Sequence, residues 1–228
     1  MRFILLGLLL IIFSCGNEKT IQLPEINHSE ITEINDVSAA YLFYDETKKD
    51  SVELNRKNLI STTNWLVNVD KRLTLKQVIP HIKFLQDKKK NSSHKNENAK
   101  NYFTCNDTSR SNLGFIEFTD VVYHEGFSFN YLSKTSHIPT TKRVNIICSS
   151  SEKIEIHFFI DNITSITTSE TELLNTIKQI LKDINEEVEI ILEFRETSTF
   201  QTYIKVKSQL SKIPTESISI LKDEFIYN

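Results

Sequence analysis

Histidine is the side chain that most often moves protons or binds metals, and the histidines of this chain are scattered. No two of them lie four residues apart and there is no HExxH motif, so their spacing predicts no zinc site on a single helix. A site assembled in three dimensions stays open, but solvent-facing side chains are the expectation. The six are His28, His81, His94, His124, His137 and His157.

Three glutamates occupy alternating positions of two predicted strands, Glu155 in one and Glu189 and Glu193 in the other. Paired carboxylates can act as general acid and general base, yet this alternation is typical of the solvated face of a sheet. No serine lies in a GxSxG turn, and four glycines are too few for a loop that cradles phosphate. The sequence therefore predicts no catalytic residue, no metal, no cofactor and no enzymatic activity.

Another chemistry, lipid attachment, is indicated at the N-terminus. Residues 1–15 hold one basic residue, Arg2, and an apolar core too short to span a bilayer as a helix. Ile12-Phe13-Ser14-Cys15-Gly16 resembles a bacterial lipobox, in which a small residue precedes the cysteine that carries diacylglycerol. We expect residues 1–15 to be a lipoprotein signal peptide and Cys15 to be lipidated, so that acyl chains hold the protein at a membrane. The alternative is an ordinary cleaved signal peptide with an incidental cysteine.

Two further cysteines, Cys105 and Cys148, raise the question of a disulfide. Export places them in an oxidising compartment, where a bond between them would close a long loop and stabilise the protein by several kcal/mol. Because Cys148 ends a predicted buried strand, two free buried thiols are the alternative.

Length and composition limit the possible classes of protein. A chain of 228 residues suits one large or two small domains, and 39% hydrophobic with 25% charged residues is typical of globular proteins. The formal net charge is -3. A balance so near neutral lacks the basic patch that nucleic-acid binding requires, so we expect no nucleic-acid partner.

The apolar pattern between Val144 and Leu221 predicts six elements in succession. A hairpin precedes an amphipathic helix with the capping box Ser169 and Glu172. A buried strand, a second helix starting near Ser198 or Thr199 and an alternating last strand follow. The order β-β-α-β-α-β favours crossovers that put both helices on one face of a small mixed sheet, so the predicted fold class is α+β.

This order resembles the periplasmic domain of the ExbD/TolR family of biopolymer-transport proteins. The likeness is closest over Glu187–Leu221, EVEIILEFRETSTFQTYIKVKSQLSKIPTESISIL, where a strand, a polar turn, a helix and a final strand follow one another. The chain departs from the family at Ile213-Pro214, where a glycine usually ends the second helix. It also has no equivalent of the family's transmembrane helix with a proton-carrying aspartate. The resemblance implies a fold and envelope partners without the motor function.

The rest of the chain predicts a tether and a second unit. Residues 16–36 are polar with little periodicity and predict a flexible tether. Residues 37–138 predict an N-terminal α+β unit with a helix capped by Thr74 and Gln77, a loop over 87–112 and two strands around Glu125-Gly126; residues 143–228 form the C-terminal unit. A tandem repeat of related units, with Leu113–Phe118 matching Glu189–Phe194, is one interpretation, and shared patterning without duplication is the other.

Together these features predict an exported, lipid-anchored binding protein of the cell envelope, with Gly16 favouring the outer membrane, facing the periplasm. Its partner would be an envelope protein, such as a subunit of a TonB/ExbD-type system, or peptidoglycan, bound by strand addition at a sheet edge. The alternatives are an envelope hydrolase whose site assembles from distant loops and a purely structural surface lipoprotein. The expected edge is the last strand, Ser217, Ile218, Ser219, Ile220 and Leu221.

Overall fold

The computed structural model describes residues 19–94, 96–133, 142–159, 163–182, 184, 186–213 and 218–228. Within these ranges the predicted α+β class is confirmed, with two mixed sheets of six strands and four α-helices. The strands are β1 (Glu25–Ile26), β2 (Val37–Tyr44), β3 (Val52–Asn55), β4 (Asn64–Val69), β5 (Asn101–Asp107), β6 (Asn112–Glu117), β7 (Val122–Glu125), β8 (Lys142–Cys148), β9 (Ile154–Phe159), β10 (Ile163–Thr168), β11 (Val188–Arg195) and β12 (Ile218–Tyr227). The helices are α1 (Leu75–Lys90), α2 (Ser128–Leu132), α3 (Leu173–Leu181) and α4 (Phe200–Leu210).

The first sheet has a parallel centre flanked by antiparallel strands. Strands β2, β4 and β5 run parallel, β3 pairs antiparallel with β2, and β6 pairs antiparallel with β5. Strand β1 runs parallel to the end of β5, which β4 does not reach. The sheet buries Leu42, Trp65 and Phe103 against the helices.

Helix α1 follows the predicted pattern but is longer than expected. Thr74 and Gln77 form the predicted capping box. The helix continues through Lys90, and β5 and the start of β6 occupy 101–107 and 112, so the loop predicted over 87–112 is wrong for these residues. Lysines suit the last turn of a helix because the helix dipole is negative there, and Lys89 also buries its stem.

The second sheet has the predicted order of elements with two strands added, β7 from before the predicted stretch and one strand within it. Its strand order is β10-β9-β8-β11-β12-β7, with β8, β11, β12 and β7 parallel and β9 and β10 antiparallel. The strand added within the stretch is β10, between the hairpin and α3. Helix α4 begins at its predicted cap, Thr199, whose side chain accepts a hydrogen bond from the Thr202 N–H at 3.2 Å. The predicted cap of α3 is wrong, because that helix begins after Glu172 with no side-chain cap.

The two predicted units share structure across their expected boundary. Strand β7 and helix α2 lie before residue 138, yet β7 pairs with β12 of the second sheet. The helix N-caps Thr74 and Thr199 form an antiparallel bridge between the units, and buried residues of both sheets form a single hydrophobic core. Because the units share strands and a core, a boundary at 138 to 143 does not separate two independent bodies.

Residues 19–36 contact the first sheet along their length, so this part of the predicted flexible tether is wrong. Ile26 is buried in the core, and Asp107 accepts hydrogen bonds from the backbone N–H groups of His28 and Ser29 at 3.1 and 2.9 Å. Two buried anchors of this kind outweigh the polar composition that predicted a tether.

The predicted lipidation site, Cys15, lies outside the described residues. No helix in the described part of the chain is both long enough and apolar enough to cross a membrane.

Candidate functional site

Strand β7 forms one outer edge of the second sheet. It is parallel to β12, with Tyr123 opposite Glu224 and Glu125 opposite Ile226. The Gly126 N–H donates to the Ile226 C=O at 2.8 Å. Alternate residues of a parallel strand direct their backbone groups to opposite sides, so the N–H and C=O groups of Tyr123 and Glu125 point away from β12. The described residues place no further strand on that side.

Helix α1 forms the opposite wall of a groove along this edge. Its exposed face carries Pro80, Lys83, Phe84 and Asp87. Two cavities of about 580 and 480 Å³ lie between the helix and the strand, and Lys83, Asp87 and Tyr123 line both. The two cavities are therefore adjacent, and we call them together the α1/β7 groove.

The groove combines apolar and charged surface. Phe84 is 44% exposed and Val122 50% exposed, so large apolar side chains meet solvent on both sides. At one end Lys76 Nζ lies 2.7 Å from a carboxylate oxygen of Glu196. This end of the groove therefore presents an ion pair beside its apolar side chains.

Gln86 links the two walls at the start of β7. Its Nε2 donates to the Val121 C=O at 2.9 Å and to the Phe118 C=O at 3.4 Å. The helix is thus held at a fixed distance from the strand edge by a side chain that lines the groove.

Beneath β7 a buried polar chain ties the strand to the core. The hydroxyls of Tyr123 and Tyr203 lie 3.1 Å apart, Tyr203 donates to Glu224 at 2.8 Å, and the Lys207 ammonium pairs with the other oxygen of Glu224. Burial first, and the Glu224 carboxylate second, raise the pKa of both tyrosines well above the ordinary value. The tyrosines stay protonated and hold β7 rigidly in place.

Lys89 closes the far end of the groove from beneath. Its ammonium donates to the Lys100 C=O at 2.9 Å and to Asn101 Oδ1 at 3.0 Å, and it lies 5.1 Å from the centre of the Trp65 ring. Burial lowers the pKa of Lys89 to about 8. Two acceptors and an aromatic ring surround the Lys89 ammonium. Its contacts therefore stabilise the groove wall that α1 forms.

The predicted edge, Ser217–Leu221, is only partly an edge. Ser217 lies outside the described residues. Ile218 to Ile220 pair with β11, and β7 covers the other side of β12 only from Asp223 to Ile226. The first half of β12 therefore has one described neighbour, while its second half is interior, because the strand is longer than its alternating pattern indicates.

A smaller groove of about 280 Å³ runs beside that free half of β12. Ile220 and Leu221 line it, together with Phe115 of β6 and Lys207. The segment after β1 already occupies part of the β6 edge, since the Phe115 N–H donates to the Ile31 C=O at 3.1 Å. The α1/β7 groove is the larger and less occupied of the two.

The structure has both Cys105 and Cys148 as free, buried thiols, the second of the two alternatives. They lie in different sheets, in β5 and at the end of β8. Burial raises the pKa of both thiols, that of Cys148 to about 12. Neither is suited to nucleophilic chemistry, which requires the thiolate.

The structure does not bring the histidines together into a metal site. No group of three His, Cys, Asp or Glu side chains among the described residues could hold a metal ion. His124 instead stacks on Phe225, contacts the tilted ring of Tyr131 and lies 2.5 Å from Asp223. His137 lies outside the described residues.

The prediction that all three glutamates lie on a solvated sheet face is wrong for Glu193, which is 2% exposed. Its carboxylate accepts from Ser128 Oγ at 2.7 Å and from Asn145 Nδ2 at 2.9 Å. Helix α2 carries Ser128, so it covers this part of the face. Glu189 pairs with Arg143 at 3.4 Å, and Glu155 with Lys153 at 2.8 Å.

Sequence reasoning missed the cluster of Ser128, Asn145 and Glu193, since the three lie on different elements. Two neighbouring polar atoms, Asn145 Oδ1 and Arg143 Nε, are buried without a hydrogen-bond partner. Neither of the two grooves described above is lined by Ser128, Asn145 or Glu193. A substrate therefore has no route to the cluster through these grooves.

Comparison with known proteins identifies no relative of this chain. No protein-family model, curated protein or solved structure matches this chain.

Proposed function

We propose that this chain is a lipid-anchored binding protein of the cell envelope, facing the periplasm from the outer membrane. Its α1/β7 groove would receive an extended segment of a partner protein as an additional strand. The observation that carries the proposal is the free edge of β7, which faces the partly apolar exposed surface of α1 across two adjacent cavities. The lipid at Cys15 rests on the resemblance of residues 12–16 to a lipobox.

The edge offers a defined set of contacts to an added strand. Tyr123 and Glu125 each present one N–H and one C=O, which allows up to four backbone hydrogen bonds of about 1 kcal/mol each. Alternate side chains of the segment would point toward Ile79 and Phe84. We therefore expect segments with apolar residues at every second position.

The resemblance of Glu187–Leu221 to the ExbD/TolR family makes subunits of a TonB/ExbD-type system the first natural partners to test. Peptidoglycan is the other envelope partner that the sequence suggested. It lacks the regular backbone that a strand edge recognises, so the groove favours the protein partner.

A displayed library of random twelve-residue peptides tests the groove, using the soluble Cys15→Ala protein. Selected peptides should alternate apolar and polar residues. Phe84→Glu should weaken their binding about 10- to 100-fold, since burying a phenylalanine contributes about 1.5 to 3 kcal/mol. Ile166→Glu is the matched control, because Ile166 on β10 is 43% exposed, close to the 44% of Phe84.

Backbone methylation separates strand addition from simple apolar contact. Every second backbone nitrogen of a selected peptide can be methylated in two alternative patterns, or phases. One phase removes the N–H groups that face β7, and the other phase leaves those N–H groups in place. One methylation phase should abolish binding and the other should preserve it. Equal binding in both phases, or equal loss for the Phe84 and Ile166 variants, would rule out strand addition at this edge.

The hydrolase alternative has one specific observation in its favour, the contact of Ser128 with Glu193. A panel of fluorogenic esters and muramyl glycosides tests it. Turnover that disappears in Ser128→Ala but persists in Phe84→Glu would favour an enzyme over a binding protein. A purely structural lipoprotein predicts neither turnover nor selected peptides.

A further inference from the structure

The segment after the proposed lipid is fastened to the body almost from its first described residue. Lys19 Nζ lies between the carboxylates of Asp45 and Glu53, at 2.7 and 2.5 Å. The Gln22 N–H donates to Asp70 Oδ2 at 3.2 Å, and the Gln22 C=O accepts from the Lys71 N–H at 2.8 Å. Ion pairs and hydrogen bonds therefore hold the chain against the body before β1 begins.

Strand β1 is held on two sides. It pairs with the end of β5, and the side-chain amide of Gln201 on α4 forms two hydrogen bonds of 2.9 Å with the N–H and C=O of Glu25. The amide replaces the backbone of a neighbouring strand. A segment fastened in this way cannot act as a long linker.

The covalent chain limits how far the body can lie from a lipid at Cys15. The chain from Cys15 to Lys19 is four residue steps long, and a fully extended chain spans at most about 3.6 Å per step, or about 14 Å in all. The predicted tether through residue 36 would have reached about 75 Å on the same measure. This limit holds for every conformation of residues 15–18.

Lys19 lies beside the turn between β2 and β3. Its partners are Asp45, which begins that turn, and Glu53 on β3. The exposed tip of the turn carries Lys48 and Lys49 along with the acidic residues Glu46 and Asp50. Charges of both signs are present, so charge alone does not select an anionic lipid surface.

From these contacts we infer that the lipidated protein lies directly on the bilayer, with the β2–β3 turn facing the lipid headgroups. The inference rests on the proposed lipidation of Cys15 and is independent of the peptide groove. The partner surface is a lipid bilayer, identified by the short chain between Cys15 and Lys19. Because covalent reach sets the orientation, it should not depend on the fraction of anionic lipid.

Fluorescence quenching in vesicles tests this orientation. One protein carries Lys49→Cys at the β2–β3 turn, and another carries Ser165→Cys on β10, an outer strand of the other sheet. The native Cys105 and Cys148 are buried, so a thiol-reactive fluorophore labels the introduced cysteine. The purified lipidated proteins are incorporated into phosphatidylcholine vesicles with a quencher on the headgroup, with and without phosphatidylglycerol.

We expect the label at position 49 to be quenched several times more strongly than the label at position 165, equally in both lipid mixtures. Inserting ten Gly and Ser residues between positions 18 and 19 should remove most of this difference while the protein still floats with the vesicles. Equal quenching of both labels, or no effect of the insertion, would overturn the orientation. Mass spectrometry that shows no lipid on Cys15 would overturn the anchoring itself, a separate failure.

Discussion

Replacing Asp107 by asparagine tests how the N-terminal segment is held. One carboxylate oxygen accepts hydrogen bonds from the Ser29 N–H and from Arg110 Nε, both at 2.9 Å. The other accepts from the His28 N–H at 3.1 Å and from the N–H and hydroxyl of Ser109 at 3.0 and 2.6 Å. An amide presents an NH₂ group to one of these two sets of donors, so at least two hydrogen bonds are lost.

The size of the effect follows from those two bonds. Hydrogen bonds to a charged group contribute about 1.5 to 3 kcal/mol each, so Asp107→Asn should lower the free energy of unfolding by about 3 to 6 kcal/mol. Most domains are stable by about 5 to 15 kcal/mol, so the variant should still fold. Asp120→Asn is the control, since Asp120 forms an exposed pair with Lys222 that should contribute at most about 1 kcal/mol.

The dependence on pH has a definite sign. Burial alone would raise the pKa of Asp107, but the hydrogen bonds from Ser109, Arg110, Ser29 and His28 together lower it. A carboxylate with a lowered pKa in the folded state stabilises the protein above its unfolded pKa, about 3.9, and this stabilisation is lost as the pH falls further. The gap between wild type and Asp107→Asn should therefore be full at pH 7 and shrink below about pH 4.

Urea unfolding of the soluble Cys15→Ala protein, followed by circular dichroism, measures these differences. Hydrogen exchange should also show faster exchange of the Ser29 and Phe115 amides in Asp107→Asn, because both belong to the fastened segment and its contacts. A variant as stable as wild type at pH 7, or a gap that does not change on acidification, would refute the account of this anchor.

Three further predictions concern the core. Glu224→Gln should lower the free energy of unfolding by about 3 to 5 kcal/mol in urea titrations, because it leaves the Lys207 ammonium without its carboxylate; an unchanged midpoint would contradict this. Thr199→Ala should cost about 1 kcal/mol in the same titration by removing the cap of α4, and a cost near zero would show that the bridge to Thr74 suffices. Cys105 and Cys148 should react with a thiol reagent only after denaturation, and rapid reaction of the native protein would contradict their burial.

The sequence correctly predicted the features that depend on residues close together in the chain. The caps at Thr74 and Thr199 depend on residues within one helical turn of each other, and both are confirmed. The pattern Phe127-x-Phe129-x-Tyr131 predicted a strand, but residues 128–132 form α2. Phe129 is 76% exposed, so burial did not produce that alternation.

The candidate site could not be predicted because it depends on long-range pairing. Nothing in Val122–Glu125 indicates that this strand leaves the first sheet and joins β12, about 100 residues later. The groove exists only because β7 makes that crossing and places its free edge beside α1. Glu193 is buried for a similar reason, since Ser128 lies 65 residues before it.

The two halves are related by topology in a way that explains why their helices meet. The order β3-β2-β4-β5 in the first sheet corresponds to β9-β8-β11-β12 in the second, each with one antiparallel hairpin and three parallel strands. Helix α1 corresponds to α4. The predicted match of Leu113–Phe118 with Glu189–Phe194 is wrong, because β6 is an antiparallel outer strand and β11 a central parallel one.

In this correspondence the two strand-to-helix turns are equivalent, and the Thr74–Thr199 bridge joins them. The Leu75 N–H donates to the Ser198 C=O at 2.9 Å, and the Phe200 N–H donates to the Leu73 C=O at 2.7 Å. Each helix thus satisfies an N-terminal N–H group with a carbonyl of the other half, groups that an isolated helix leaves unpaired. Two of the departures from the shared topology are β7, which forms one wall of the groove, and the segment around β1, which holds the N-terminal end of the described chain against the body. The proposed binding functions therefore involve parts in which the two halves differ.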